Sequence, residues 1–339
     1  MRVALYDDPL FREHDAGPGH PERPERLDAI RRGLRDAGLE PRLTAVAPRP
    51  ATHEELARVH TEKHVRSLAA TEGHTVRFDP DTQAGPRSYA AALQAAGSAV
   101  DAVQRVLDGA LDRAFCLCRP PGHHAEADRA MGFCLFNNVA VAAAHALAAG
   151  LERVLIVDID VHHGNGTQHA FEDDPRVLYV SSHAFPFYPG TGALDEVGEG
   201  AGEGFTVNLP LPQGMGDGEY ARVYRGVVEP IGRAFAPELV LVSAGFDAYG
   251  GDPLAGMRLT ARGYRELTQV CLECAGDAHG LVVLLEGGYD LEGLATCSAE
   301  VVRGLFGEPY EPVAPASRIE PLVEAYRRRL RPYWPALSS

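Results

Sequence analysis

Lysine is almost missing from this sequence: Lys63 is the one lysine among 32 basic residues, the rest being arginine. That is a bias of composition and carries no function. There is no long basic run either, and a net charge of −15 argues against a general nucleic-acid binder. No apolar stretch approaches the ~20 residues a membrane span needs. Met1-Arg-Val-Ala-Leu-Tyr6 turns polar too soon for a signal peptide, so a reducing cytoplasm is the expected setting and no membrane partner is expected. Cysteines number six. Cys271 and Cys274 make a C-x-x-C, but no second pair completes a tetrahedral metal site. Both fall in the helical pattern Leu267, Val270, Cys271, Cys274, which suits small buried apolar side chains. Low-complexity segments and internal repeats are absent as well. The 339 residues therefore read as one domain, 1–339, large enough to fold around its own core.

What the sequence does have is regular alternation. Short apolar runs at Val3–Tyr6, 114–118, Val154–Asp158, 177–181, 239–243 and Leu281–Leu285 read as strands. Helical patterns stand between them: Leu27, Ile30 and Leu34 on one face, a capping box from Thr52 to Glu55, and a stripe from Tyr89 to Leu107. Others cover 138–149, 218–235 and 260–278, with a last pair from Leu291 and Leu322. Strands alternating with helices imply an α/β fold with a mainly parallel sheet and helices on both faces.

From the second strand on, each run ends in polar, glycine-containing sequence. Arg119-Pro-Pro-Gly-His-His124 follows the first of these, and Asp158-Ile-Asp-Val-His-His-Gly-Asn165 the next. Ser182-His-Ala-Phe-Pro-Phe-Tyr-Pro-Gly190, Gly245-Phe-Asp247 and Glu286-Gly-Gly-Tyr289 close the others. Ligands of open α/β sheets bind outside the carboxyl ends of the strands, so these loops should converge on one edge.

Side chains alternate along an extended backbone, so Asp158, Asp160 and His162 project to one face. If Asp247 joins Asp160 and His162, two carboxylates and an imidazole form a three-ligand site with an open position, as in catalytic zinc. Alone, Asp247 would read as a turn or cap residue. The same ligands suit Fe²⁺. His123 and His124 offer acid–base chemistry beside it, and Asp158 and Asn165 are available to orient them. A carboxylate partner favours the imidazolium far more than a neutral amide does, so the histidine backed by Asn165 would be the neutral base. Tyr289, after two glycines, offers a phenol to a developing oxyanion.

These residues, in this order, resemble the histone deacetylase family of the arginase–deacetylase superfamily, from His20-Pro-Glu-Arg-Pro-Glu-Arg26 to Glu286-Gly-Gly-Tyr289. The similarity is greatest to class II and bacterial deacetylase-like amidohydrolases, because Asn165 stands where class I members have Asp. The resemblance implies an eight-stranded, mainly parallel sheet in one domain. It implies Zn²⁺ held by Asp160, His162 and Asp247, and hydrolysis of an N-acyl-lysine amide. His123 and His124 would be the acid–base pair, backed by Asp158 and Asn165, with Tyr289 polarising the acyl carbonyl. Phe133 and Tyr188 would wall the slot for the lysine stem, with Gly132 contributing backbone. Leu254, His20 and Pro21 would complete the substrate-binding set.

Tyr188 departs from the usual Phe, which makes the slot slightly more polar. A structural K⁺ is implied at Asp158, Asp160, His162, Ser181 and Ser182, and either Asp79 or Asp81 would grip the substrate backbone. The implied partners are an acylated lysine or a small acylated amine, and a homo-oligomer is compatible. The nearest alternative is an acetylpolyamine amidohydrolase. Leu254 speaks against it, since polyamine-selective relatives place an acidic residue there. An alternative of another class is a catalytically silent acyl-lysine binding module, against which the complete residue set stands.

Overall fold

A computed structural model describes residues 1–338 of the chain. Its strands are β1 (Val3–Tyr6), β2 (Thr44–Val46), β3 (Val76–Arg77), β4 (Gln83–Ala84), β5 (Arg113–Cys116), β6 (Val154–Asp158), β7 (Val177–Ala184), β8 (Thr206–Leu211), β9 (Leu239–Ala244) and β10 (Leu281–Leu285). Eight of them form one sheet in the order β2-β1-β5-β10-β9-β6-β7-β8, and every pairing is parallel. All residues of β6, β7, β9 and β10 are buried, as a parallel sheet covered on both faces requires. β3 and β4 form a separate antiparallel hairpin.

The helices are α1 (Glu25–Asp36), α2 (His53–Ala57), α3 (Glu62–Ala69), α4 (Ser88–Leu107), α5 (Asn138–Ala148), α6 (Asn165–Phe171), α7 (Asp217–Val223), α8 (Glu229–Phe235), α9 (Ala261–Ala275), α10 (Leu291–Leu305) and α11 (Glu320–Leu330). The Thr52–Glu55 capping box opens α2. Cys271 and Cys274 lie buried and unbridged on α9. Among the described residues, no helix is long and apolar enough to cross a membrane.

Two sheet strands and two helices differ from the periodicity reading, one of the helices being the short α3, which none of those patterns includes. β2 is three residues long and largely exposed, so it carries no apolar run. β8 contains Pro210, which argues against a strand in the middle of a sheet; β8 is the edge, where the missing N–H costs nothing. α6 begins at Asn165-Gly166, residues that by themselves signal a turn.

The segment 218–235 is helical but not uniform, with a π-helical turn at Tyr224–Val228 just ahead of Pro230. A proline cannot bond the carbonyl four residues back. Here that carbonyl, on Gly226, accepts from Arg327 Nε at 3.1 Å. The π turn also presents the Tyr224 hydroxyl 2.7 Å from Ser182 Oγ, at the carboxyl end of β7.

Candidate active site

The loops after β5, β6, β7, β9 and β10 meet at the carboxyl edge of the sheet around a pocket of about 270 Å³. His123, His124, Asp160, His162 and Tyr289 line its floor. Phe133, Tyr188, Leu254 and Asp81 stand around it, together with Phe187, which the sequence did not single out.

Asp160, His162 and Asp247 form a cluster that could hold a metal ion, each offering one ligand atom within 4.8 Å of the others. Backbone N–H groups hold the carboxylates. His162 N–H donates to Asp160 Oδ1 at 2.8 Å, Gly287 N–H to Asp160 Oδ2 at 2.9 Å, and Val161 N–H to Asp247 Oδ1 at 2.9 Å. A side chain on residue 287 would sit 2.2 Å from Asp247 Oδ2, so only glycine lets the β10 loop approach this closely.

Asp247 Oδ2 is buried and makes no hydrogen bond. Burial, then the neighbouring Asp160 charge, pushes the Asp247 carboxyl up to about 7. Burial disfavours a charged His162, yet Asp160 and Asp247, 3.0 and 3.2 Å from its Nδ1, lift it to about 10. The cluster therefore calls for a cation at that point, and an orphaned carboxylate oxygen beside an imidazole nitrogen fits a divalent metal.

The two adjacent histidines are paired differently. His123 Nδ1 lies 3.0 Å from Asp158 Oδ2, and His124 Nδ1 lies 2.8 Å from Asn165 Oδ1. Burial alone would keep His123 neutral, but the Asp158 carboxylate raises it to about 10. For His124 burial dominates, and the positive charges of His123 and His162 push the same way, so it falls well below the usual histidine range. At neutral pH one ring is an imidazolium and the other a free base. Glu286 holds the His123 loop by accepting from Gly122 N–H at 2.6 Å and His123 N–H at 3.2 Å. Asn165 in turn donates to Glu126 Oε1 at 2.6 Å, a contact that left no signal in the sequence beyond its place beside the histidine pair.

Tyr289 is placed by its backbone, whose N–H donates to Asp252 Oδ2 at 2.7 Å. The Arg26 guanidinium lies 5.1 Å over its ring and donates to the Gly288 carbonyl at 2.7 Å. This accounts for the segment from His20 to Arg26: buried Arg26 supports the Tyr289 loop from behind. His20 and Pro21 themselves are outside the pocket lining. His20 packs edge-on against Phe133 with centroids 4.4 Å apart, and its Nε2 is 3.1 Å from the Asp81 carbonyl.

Gly132 and Phe133 both have left-handed backbones (φ 56° and 69°), and a side chain on residue 132 would strike the His124 ring. Tyr188, 38 % exposed, stands edge-on to His124. Of the two rim aspartates, Asp81 lines the pocket. Asp79 instead caps its own turn, accepting from Asp81 and Thr82 N–H. Ser181 pairs in register with Asp158 at the carboxyl end of β6, and Ser182 follows it, both buried within β7.

Residues 20–305 match the histone deacetylase domain family. The chain is 44% identical over 331 residues to histone deacetylase 15 of Arabidopsis thaliana, covering 94% of this chain and 59% of that protein. It is 42% identical over 290 residues to a probable deacetylase of Archaeoglobus fulgidus, covering 84% of this chain and 80% of the relative. With human polyamine deacetylase HDAC10 it shares 42% identity over 338 residues, which span 93% of this chain and 50% of the human protein. The chain thus spans between half and three fifths of the length of the plant and human relatives. The crystal structure of an HDA15 HD domain superimposes with a TM-score of 0.93 at 42% identity, covering 99% of this chain and 96% of that one. On the sheet order, the pocket and these matches together, the chain belongs to the histone deacetylase family.

Proposed function

We propose that this chain is a metal-dependent deacylase that hydrolyses the side-chain amide of acylated lysine. What carries the proposal is that one pocket joins an open three-ligand cluster to a neutral imidazole, an imidazolium and a phenol. Asp160, His162 and Asp247 would hold Zn²⁺, or Fe²⁺ in its place, and when bound the metal polarises the acyl carbonyl and makes a water more acidic. His124 takes the proton from the attacking water, since its Nδ1 faces Asn165 and its Nε2 is left for the pocket. His123, kept protonated by Asp158, returns a proton to the leaving amine. Tyr289 donates its hydroxyl to the oxygen that becomes negative, and burial keeps that phenol protonated at neutral pH. Phe133, Phe187 and Tyr188 flank the alkyl stem, with Gly132 at its side, and Asp81 accepts from the substrate backbone at the rim. We assign a structural K⁺ to the ends of β6 and β7, at Asp158, Asp160, His162, Ser181 and Ser182.

Turnover of a fluorogenic acetyl-lysine amide by the metal-loaded protein tests the reading. Binding of the same acylated peptide with no hydrolysis would replace it with the silent binding module.

Asn165→Asp should raise the pKa of His124, because a carboxylate favours the imidazolium. The base must be neutral to act, so a higher pKa moves the acidic limb of the kcat/KM profile to higher pH. A limb that stays put would show that His124 is not the base. The new carboxylate also faces Glu126, so the variant should melt earlier.

HDAC10 is named a polyamine deacetylase, which keeps acetylpolyamines as the second substrate class. Leu254 weighs against them here. It lines the pocket rim and gives a substrate ammonium no counter-charge. Leu254→Glu should shift the ratio of kcat/KM for acetylpolyamine over acetyl-lysine upward several-fold, equivalent to about 1 kcal/mol for a partly exposed ion pair. An unmoved ratio would show that Leu254 does not select the substrate.

A further inference from the structure

We propose that Glu126 is a positioning residue for this reaction: it fixes which way the Asn165 amide faces, and so which nitrogen of His124 carries the proton. The inference rests on the deacylase reading above, in which His124 is the base. An asparagine amide is nearly symmetric in shape, with an acceptor at one corner and a donor at the other. With Oδ1 toward His124, the ring carries its proton on Nδ1 and keeps the Nε2 lone pair for the pocket. Turned over, the amide would donate to Nδ1 and the proton would move to Nε2, leaving no base at the reacting end. His123 has no such ambiguity, because the Asp158 carboxylate accepts with either oxygen.

Three contacts decide the orientation. Asn165 Nδ2 donates to Glu126 Oε1 at 2.6 Å, to the His124 carbonyl at 3.3 Å and to Met131 Sδ at 3.5 Å. The carboxylate is the shortest of these, carries the charge and has no donor of its own, so it dominates. Glu126 is 7% exposed and well fixed. His169 Nδ1 stands 3.0 Å from both of its oxygens, and Arg129 lies 3.5 Å away. Its backbone is pinned too, N–H to the Arg129 carbonyl and C=O to His60 Nδ1, both at 3.0 Å. Burial opposes ionisation, yet His169 and Asn165 hold the carboxyl below the usual glutamate range, so it remains an acceptor at neutral pH.

Glu126→Leu removes the acceptor, and Glu126→Met does so at nearly the original length if the leucine variant folds poorly. The expected result is a fall in kcat of about tenfold or more with KM and metal content nearly unchanged, as for a base held in the wrong tautomer. ¹⁵N NMR of the histidine rings should show His124 moving from the Nδ1–H to the Nε2–H form. Glu126→Gln can turn its Oε1 toward Asn165 and should recover most of the loss. So should the double variant Glu126→Leu/Asn165→Asp, assayed above its shifted acidic limb, because a carboxylate at 165 has no wrong face. An unchanged kcat with the Nδ1–H form retained in the leucine or methionine variant would overturn the inference. A glutamine variant as impaired as the leucine one would do the same. The tautomer readout needs no turnover, so an inactive wild-type protein would reject the deacylase reading while this test still stands.

Discussion

Asp247→Asn should lose metal affinity and turnover together. The wild-type carboxylate uses one oxygen, Oδ1, on Val161 N–H at 2.9 Å and leaves Oδ2 buried without a hydrogen bond. An asparagine that keeps the Val161 contact must aim its NH₂ group at the cluster, a donor where a metal needs a lone pair. Affinity should drop by more than ~10²-fold, beyond what loss of an outer-shell partner costs. The kcat should fall to background. Full activity in a chelator-stripped, metal-free sample of the wild type would sink the mechanism. Stability supplies a second readout in metal-free protein. Burial and Asp160 raise the Asp247 carboxyl to about 7, above its unfolded value. A group raised in this way contributes stability at low pH that is lost as pH rises through about 7. Metal-free wild type should therefore lose stability relative to the asparagine variant, which has nothing to ionise there, as pH rises from 5 to 8 on denaturant unfolding. Equal pH dependence of the two proteins would show that Asp247 is not the group carrying that cost.

Much of this architecture was legible because the central strands are buried on both faces, and such strands must be continuous apolar runs. β1, β6 and β10 stand where those runs lie, and the candidate site was visible because the runs from the second onward end in residues that suit chemistry better than packing. The edges were not legible, because β2 is too exposed and β8, with Pro210, too irregular to announce itself. Within the site, periodicity and motif found the groups that face the pocket but not those that hold them. Asp252, Glu286 and Glu126 work by accepting hydrogen bonds from groups that include Tyr289, Gly122 and Asn165, between 37 and 164 positions away. Such a contact leaves no periodic trace. His20 and Pro21 show the reverse effect: they lie in a recognisable segment whose structural weight rests on Arg26, beneath the Tyr289 loop.

Tyr289→Phe isolates a single oxygen. The ring is kept, and with it the edge contact to Phe133 at 5.9 Å and the Arg26 guanidinium 5.1 Å above it. The loop is also held independently of the hydroxyl, since Asp252 takes the backbone N–H groups of Tyr289 at 2.7 Å and Asp290 at 3.2 Å. Melting temperature and metal content should therefore match the wild type. Among the described residues the hydroxyl is in no hydrogen bond, and its side chain lines the pocket. Burial raises the phenol well above the usual tyrosine range, which keeps it a proton donor wherever the enzyme works. A donor aimed at charge that develops only during reaction acts on kcat and hardly on KM. Its removal should lower kcat by ~10²–10³-fold, or ~3–4 kcal/mol, with KM within a few-fold. Steady-state kinetics on an acetyl-lysine amide, with wild type and variant loaded to the same metal content, provides the check. A kcat within a few-fold of wild type would mean that Tyr289 only packs against Phe133. A KM that rises with kcat unchanged would place its hydroxyl on the bound substrate and not on the transition state.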